Sequence, residues 1–449
     1  MQRVDSRDTL LSIAGYDSGN GAGVETDLKV FDFFGFHGAG AITAITAQNT
    51  TGVKGIYPVK AEELRHQIRT IVEDFHVSGI KTGMIYSADQ VDVVLEEVDR
   101  LEAASHHVPL VVDPVIFAKD GTPLIKDVEH FKQLLRRALV VTPNAVEASL
   151  LMGGGKEVED PVSACRELLN SFGSKYVVLK GGHIPGEKAR DVLCWRGGHA
   201  EYILPRLENT DTHGTGSVFA SALLSSYLKG SNMVNAVSEA KTVVYWGIKH
   251  GLHVGKGIGP IDPLVKMRKD FHKYHVLEEM REFAKFISEE KGFSKLIPEV
   301  QSNLAHSIPP NLVDGLEDIA TYQGRIIKEW DGKVRVGFPA VFGNPTHTAR
   351  LLNGLIKRGV LADSLINVRF DERLIRKLSD EGYSVVEIFR ENEPSWGEER
   401  TMDWIAEISS KEKASVAFDR GVKGKEAMIR IWSLGIDGLI RTLKLLLSE

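Results

Sequence analysis

The sequence predicts an α/β protein of two domains, the first a mostly parallel sheet with helices on both faces. Three observations predict it. Residues 9–260 alternate short β-branched runs with amphipathic helical patterns, the texture of strand–helix–strand units. Glycine clusters close several of the strand-like runs, where open α/β sheets bind ligands. After "GKGIGPIDP" (255–263) the texture changes, which sets a boundary near 270 and domains of 1–270 and 271–449.

Taken in order, the buried runs are "TLLSIAG" (9–15), "AITAITA" (41–47), "GIKTGMI" (79–85), "VPLVVDPV" (108–115), "ALVVTPN" (138–144) and "YVVLKGG" (176–182). Between them, Leu64, Ile68, Ile71, Val72 and Phe75 share one helical face, as do Val91, Val94, Leu95, Val98 and Leu101. "DVLCWRGGHAEYIL" (191–204) places two apolar runs about Arg196-Gly197-Gly198 and predicts a hairpin. Past the boundary, 274–291 forms a charged amphipathic helix with Val276, Leu277, Met280, Phe283 and Ile287 inward. Pro298, Pro309 and Pro310 break the chain into loops. Strands are expected at 333–339, 364–370 and 383–389, with a closing helix over 426–447.

Composition bounds the partners. A formal net charge of −6 gives no electrostatic footprint for nucleic acid or anionic membrane. The two cysteines, Cys165 and Cys194, have no paired or metal-like spacing, which points to a reducing compartment. The N-terminus lacks the pattern of a signal peptide, and no apolar stretch approaches membrane length, so a cytoplasmic protein is expected.

Four segments carry chemistry. "AGYDSGNGAGVETDLKVF" (14–31) runs from a strand through a glycine-rich turn into a helix, without the GxGxxG spacing of a dinucleotide fold. It suits either close backbone approach to a ligand or a plain tight turn. "DTHGTGS" (211–217) sets Gly214 and Gly216 about Thr215 where a helix begins. Such a turn aims successive N–H groups and a helix N-terminus at one point, an anion hole for a transferring phosphoryl group; a glycine-rich cap is the plainer reading. In "TPNAVEA" (142–148) Asn144 and Glu147 share a face at a strand–helix junction, suited to ordering Mg²⁺ waters or equally to a capping box. Lys180 in "LKGGH" ends a strand with a cation, for phosphate or for solvent. No Walker loop occurs; "GVKGKE" (421–426) lacks its spacing.

In order, "LSIAGYDSGNGAGVETDLK", "ITAITAQNTTGV", "IKTGM", "VVDPV", "AKDGTPL", "VTPNAVEA", "LKGGH", "DTHGTGS" and "GKGIGP" span residues 9–260. This resembles the hydroxymethylpyrimidine/phosphomethylpyrimidine kinases (ThiD) of the ribokinase-like superfamily. The resemblance implies a three-layer αβα domain that uses Mg-ATP to phosphorylate 4-amino-5-hydroxymethyl-2-methylpyrimidine and then its monophosphate. By motif it implies that Asp27 and Gln48 bond the aminopyrimidine and that Gly15, Ala22 and Met84 shape its pocket. An amide such as Gln48 complements an amino donor beside a ring-nitrogen acceptor. It places Asn144, Glu147 and Lys180 on the nucleotide–Mg²⁺ side, Asp113 and Glu147 toward the metal, and Gly214, Thr215, Gly216 and Ser217 at the anion hole. It also implies a homodimer. Ser217 departs from the pattern, since Asp or Cys usually follows Gly-X-Gly and serine is a poorer base. A pyridoxal kinase is the nearest rival on the same scaffold.

The second domain places His347 and Arg350 in "FGNPTHTAR" (342–350), Arg325 in "YQGRI" (322–326), and Asp419 and Arg420 in "FDRGVKGKE" (418–426). Cations near glycine-rich turns suit phosphate or diphosphate. "IPEVQSNLAHSIP", "GFPAVFGNPTHTAR" and "FDRG…EAMIRI" resemble a ThiN domain, a smaller α/β or α+β unit. That resemblance implies thiamin-phosphate synthase activity joining the pyrimidine diphosphate to hydroxyethylthiazole phosphate. Arg325 and His347 are its first candidates, with Arg350, Asp419 and Arg420 as substrate-binding residues. The alternative is a ligand-sensing domain without catalysis.

Overall fold

Consecutive residues of the first strands point into two different cores. Leu11, Ile13, Val112, Val141, Val177 and Leu179 pack on one side, while Leu10, Val111, Val140 and Val178 pack on the other. This period-2 alternation of apolar residues on both faces is what a sheet covered twice by helices requires. The computed structural model describes residues 7–104, 108–118, 120–154, 158–393 and 398–448. The chain divides into two compact units, Met1–Lys266 and Met267–Glu449.

The first unit runs β1 (Thr9–Asp17), α1 (Gly23–Phe33), β2 (His37–Asn49), β3 (Gly52–Pro58), α2 (Ala61–Asp74), β4 (Val77–Thr82), α3 (Ala88–Ala104) and β5 (Leu110–Val112). It continues α4 (Val128–Arg137), β6 (Val140–Val141), α5 (Ala145–Leu151), α6 (Pro161–Phe172), β7 (Tyr176–Leu179), β8 (Lys188–Trp195), β9 (Gly198–Pro205), α7 (Thr215–Leu228) and α8 (Met233–Lys249). The strands form one sheet of order β3-β2-β1-β4-β5-β6-β7-β8-β9. From β2 to β7 every neighbouring pair is parallel, and the expected hairpin is β8–β9. Helices α2 to α6 cover one face, and α1, α7 and α8 the other. Helix α7 is buried from Ser217 to Ser226, so its N-terminus is fixed rigidly against the sheet.

Cys165 on α6 and Cys194 on β8 are 29 positions apart, yet the fold brings them together as buried free thiols sharing a hydrogen bond. That contact pushes the Cys165 thiol up.

The second unit contains most of α9 (Val265–Glu289), then β10 (Leu304–Ser307), β11 (Ile319–Tyr322), β12 (Ile326–Lys328), β13 (Val334–Val336), β14 (Ala340–Phe342) and α10 (His347–Lys357). After these come β15 (Ser364–Arg369), α11 (Glu372–Asp380), β16 (Val385–Glu387), α12 (Glu398–Lys411), β17 (Val416–Asp419), β18 (Met428–Ser433) and α13 (Ile436–Leu447). A seven-stranded sheet has the order β14-β11-β10-β15-β18-β17-β16, with α10 and α12 packed on its apolar face. The helix expected over 426–447 is a strand followed by a helix. "MIRIWS" pairs on both sides, with β15 and β17, and Gly435 at φ 80° separates it from α13. Its apolar residues serve two periods, which one helical pattern had absorbed.

Candidate active site

The parallel strands β1, β2, β4, β5, β6 and β7 end on one rim of the first sheet, and a cavity of about 710 Å³ lies there. Its lining includes Gly15, Ala22, Gln48, Met84, Asp113, Asn144, Glu147, Lys180 and the whole Gly214–Ser217 turn. Residues far apart in sequence thus meet because each follows a strand or opens a helix at the same rim.

At the helix end, Gly214 caps α7 with φ 85°. Its Cα faces the loop after β1, and a Cβ there would collide with the Gly21 carbonyl. Gly216 lies under the charged cluster: a Cβ on it would sit 2.9 Å from Asp113 Oδ2 and 3.2 Å from Lys180 Nζ. Lys180 Nζ donates to Asp113 Oδ1 at 2.7 Å, and Thr142 Oγ1 donates to the same oxygen at 3.0 Å. The first turn of α7 therefore opens directly onto the Lys180–Asp113 pair. Ser217 Oγ accepts the Gly23 N–H at 3.3 Å, tying this turn to the start of α1.

Asn144 and Glu147 form the capping box that their spacing allows. Asn144 Oδ1 accepts the Val146 and Glu147 N–H groups, and Glu147 Oε2 accepts the Asn144 N–H at 2.8 Å, a complete capping box. Both also line the cavity. Burial, opposed by Lys180 and reinforced by Asp113, pushes the Glu147 carboxyl up to about 8. The folded state then holds a proton that the unfolded chain releases near the ordinary value of 4.5. Its contribution to stability is complete below that value and is lost as pH rises through about 8. Glu147→Gln removes this slope. Thermal unfolding should therefore show the variant gaining on the parent steadily as pH is raised across that window, and a constant difference would contradict the assignment.

At the other end, Gly15 backs onto Met84, whose Sδ would lie 3.0 Å from a Cβ on Gly15. Asp27 is a correction. It does not line the cavity but is fully buried behind it, bonded to Lys81 Nζ at 2.7 Å, Ser12 Oγ at 2.6 Å and Ser221 Oγ at 2.8 Å. Its partner Lys81 reaches the cavity instead. Two lining residues were not among the expected ones: Asp17 and His213, joined Oδ2 to Nε2 at 2.6 Å, with Gln48 3.2 Å from the same nitrogen. Both stand within two residues of glycines in the quoted motifs, Asp17 between Gly15 and Gly19 and His213 before Gly214. Lys241, bonded to Asp191 at 2.7 Å, and Tyr245 also line the cavity from the α8 side and β8; no sequence pattern marked them.

In the second unit the register separates the candidates. Tyr322 pairs with Ala340 and Ala320 with Phe342. Arg325 follows the end of β11, while the chain running to His347 leaves β14 where β11 begins. Arg325, at φ 61°, donates from Nη1 to the Val300 carbonyl at 2.9 Å. The same segment is held by Glu426, whose carboxylate accepts the Glu299 and Val300 N–H groups at 2.9 Å. Three of the quoted motifs therefore meet at that end of the sheet. His347 and Arg350 lie in the first turn of α10, capped by Thr346. Asp419 and Arg420 do not form the open anion site expected of them. Asp419 is fully buried between Arg430 (2.8 Å) and Arg390 (3.3 Å). Arg420 is held by Glu387 at 2.6 Å and by Glu372, over the Phe370 and Phe418 rings.

Residues 17–262 match the model of the phosphomethylpyrimidine kinase family, and residues 279–444 that of the thiamine-phosphate synthase ThiN. The chain is 39% identical over 254 residues to a hydroxymethylpyrimidine/phosphomethylpyrimidine kinase of Bacillus subtilis, covering 56% of this chain and 92% of that one. It is 40% identical over 258 residues to the Streptomyces coelicolor enzyme of the same name, covering 56% and 93%. Among solved structures, an ADP complex of Bacillus subtilis pyridoxal kinase superposes with a TM-score of 0.52 at 29% identity, covering 58% of this chain and 98% of that one. Among the described residues no helix is long and apolar enough to cross a membrane. Carrying this αβα cavity on the strand ends that the family model spans, the chain belongs to the phosphomethylpyrimidine kinase family.

Proposed function

We propose that the first unit transfers phosphate from ATP to 4-amino-5-hydroxymethyl-2-methylpyrimidine and then to its monophosphate, and that the second joins the diphosphate to hydroxyethylthiazole phosphate, releasing diphosphate. The observation that carries the reading is one cavity lined by Gly15, Ala22, Gln48 and Met84 together with Lys180 and the Gly214–Ser217 turn. The hydroxymethyl oxygen bonds to the γ-phosphorus as the bond to the ADP oxygen breaks, and its proton leaves to the phosphoryl oxygens or to solvent. The N–H groups of the turn and the Lys180 ammonium stabilise charge on the transferring group. Asp113 and Glu147 fit a divalent cation: both are buried carboxylates lining the cavity near Lys180, and burial with the nearby Asp113 charge pushes Glu147 up to about 8. Mg²⁺ bound with ATP supplies positive charge there.

Ser217 is the weak point of the first step, because its hydroxyl is a poor base. The second step needs none, since its nucleophile is an ionised phosphate. Ser217→Cys should therefore raise the first rate selectively; equal effects on both steps would contradict this role.

The synthase reaction brings two anionic substrates together, and the candidates fall at two places, Arg325 at one end of the β11–β14 pair and His347 with Arg350 in α10. Cations at each support one phosphate-bearing substrate apiece. Arg325→Ala and His347→Ala should each cut thiamin phosphate formation about 10²-fold while diphosphate still forms; unimpaired synthesis in both would favour the sensing alternative. A cytoplasmic homodimer is the assembly this family resemblance supports, checked by sedimentation. The likeness to pyridoxal kinase makes pyridoxal the competing substrate to include.

A further inference from the structure

The hydrogen bonds joining Asp17, His213 and Gln48 admit one consistent arrangement of protons. Asp17 Oδ1 accepts the Gly19 N–H at 2.8 Å, and Oδ2 accepts those of Gly21 at 3.2 Å and Ala22 at 3.1 Å. Burial alone would push this carboxyl up, but the His213 bond and charge and the loop amides outweigh it and hold it below the ordinary carboxylate range. Asp17 is thus an acceptor only, so the proton in its 2.6 Å contact with His213 sits on Nε2. A protonated Nε2 has no lone pair to offer. The structure sets Gln48 Nε2 3.2 Å from it, donor against donor; turning the amide over brings the carbonyl oxygen there, where it shares the His213 Nε2 proton with Asp17.

The far side of the amide gives the same answer independently. Thr46 Oγ1 has one proton, and it lies 3.0 Å from the Tyr16 carbonyl oxygen, which can only accept. Gln48 Oε1 lies 3.3 Å from Thr46 Oγ1, acceptor against acceptor once that proton is given to Tyr16, and the same turn of the amide puts the donating nitrogen there.

We propose that the Asp17–His213 pair locks the Gln48 amide with its carbonyl toward His213 and its NH₂ toward Thr46, making His213 a specificity-determining residue for the ring the kinase accepts. Held this way, Gln48 has one lone pair and one N–H left for a ligand, in fixed order. A 4-aminopyrimidine edge answers them with an amino donor beside a ring-nitrogen acceptor. A 4-oxo ring presents the opposite order, a carbonyl acceptor beside a ring N–H. It cannot adapt by turning over, because its 5-hydroxymethyl group must reach the Gly214–Ser217 turn. Accepting it requires Gln48 to rotate, which sets two donors against each other at His213 and two acceptors at Thr46 and Tyr16. The inference rests on reading this end of the cavity as the aminopyrimidine site; the amide orientation itself does not.

The test compares kcat/KM for 4-amino-5-hydroxymethyl-2-methylpyrimidine and its 4-oxo counterpart, beside ¹⁵N NMR of the unsubstituted protein. The parent should favour the amino ring on the order of 10²–10⁴-fold. His213→Phe, which removes the donor but keeps a ring, should reduce that ratio about tenfold or more, mainly by admitting the oxo ring. Asp17→Asn, which lets His213 Nε2 go bare, should do the same and serves if His213→Phe does not fold. NMR should show His213 Nε2 protonated. A bare Nε2 with the proton on Nδ1, or variants keeping the parent ratio, would overturn the proposal. Turnover of neither ring with Nε2 protonated would overturn the specificity role and the functional reading while leaving the amide orientation standing.

Discussion

Gly214→Ala should reduce kinase kcat/KM by at least about 10²-fold. Two effects combine. At φ 85° an L-residue is strained whatever surrounds it. The new Cβ also collides with the Gly21 carbonyl, in a loop that Asp17 pins through the Gly19, Gly21 and Ala22 amides. Neither side can yield alone, so the strain moves the anion hole and Ala22 together. Removing one donor of such a hole costs about 10²–10³, and here the N–H groups of the turn move as a set. An ADP-release assay on the hydroxymethylpyrimidine, with circular dichroism to confirm folding, measures it. A folded variant keeping more than about a tenth of parental activity would show that the turn does not position the phosphoryl group.

Lys180→Met should lower kcat on the order of 10²–10³-fold. Burial pulls the Lys180 ammonium down, but Asp113 and Glu147 outweigh it and hold it protonated. It is the cation held between these two buried carboxylates, and methionine fills its volume without its charge. The remaining Asp113 and Glu147 then repel each other and the incoming triphosphate. Glu147 answers by taking a proton more tightly, so the variant should lose stability progressively as pH rises, more steeply than the parent. Steady-state kinetics together with unfolding across pH separate the two effects. A variant with near-parental kcat, or one whose stability deficit is independent of pH, would remove Lys180 from the reaction.

Much of this was legible in the sequence, for identifiable reasons. The parallel strands read clearly because two-sided burial makes them short β-branched runs, and the glycines at their ends mark the rim where the cavity lies. Gly214, Gly216 and Lys180 stand out in the sequence because their chemistry is local to one turn or one strand end, and all three line the cavity. Asp27 was misplaced because sequence gives a residue's position on α1 but not whether a buried lysine from β4 will claim it. Asp17 and His213 were missed because each means little alone; the pair exists only once β1 and the start of α7 are adjacent. In the second unit, the 426–447 region failed because a central strand and a following helix share one apolar run. Asp419 likewise looked like a site residue until the sheet set Arg430 and Arg390 beside it.

The most direct test of the whole account is one incubation of the full chain with ATP, Mg²⁺, the hydroxymethylpyrimidine and hydroxyethylthiazole phosphate, followed by mass spectrometry. The account predicts the pyrimidine monophosphate, then the diphosphate, then thiamin phosphate and free diphosphate, with ATP consumed at two per product. Accumulation of pyrimidine diphosphate without thiamin phosphate would contradict catalysis by the second unit. Absence of any phosphorylated pyrimidine, with pyridoxal phosphorylated in a parallel incubation, would contradict the central claim.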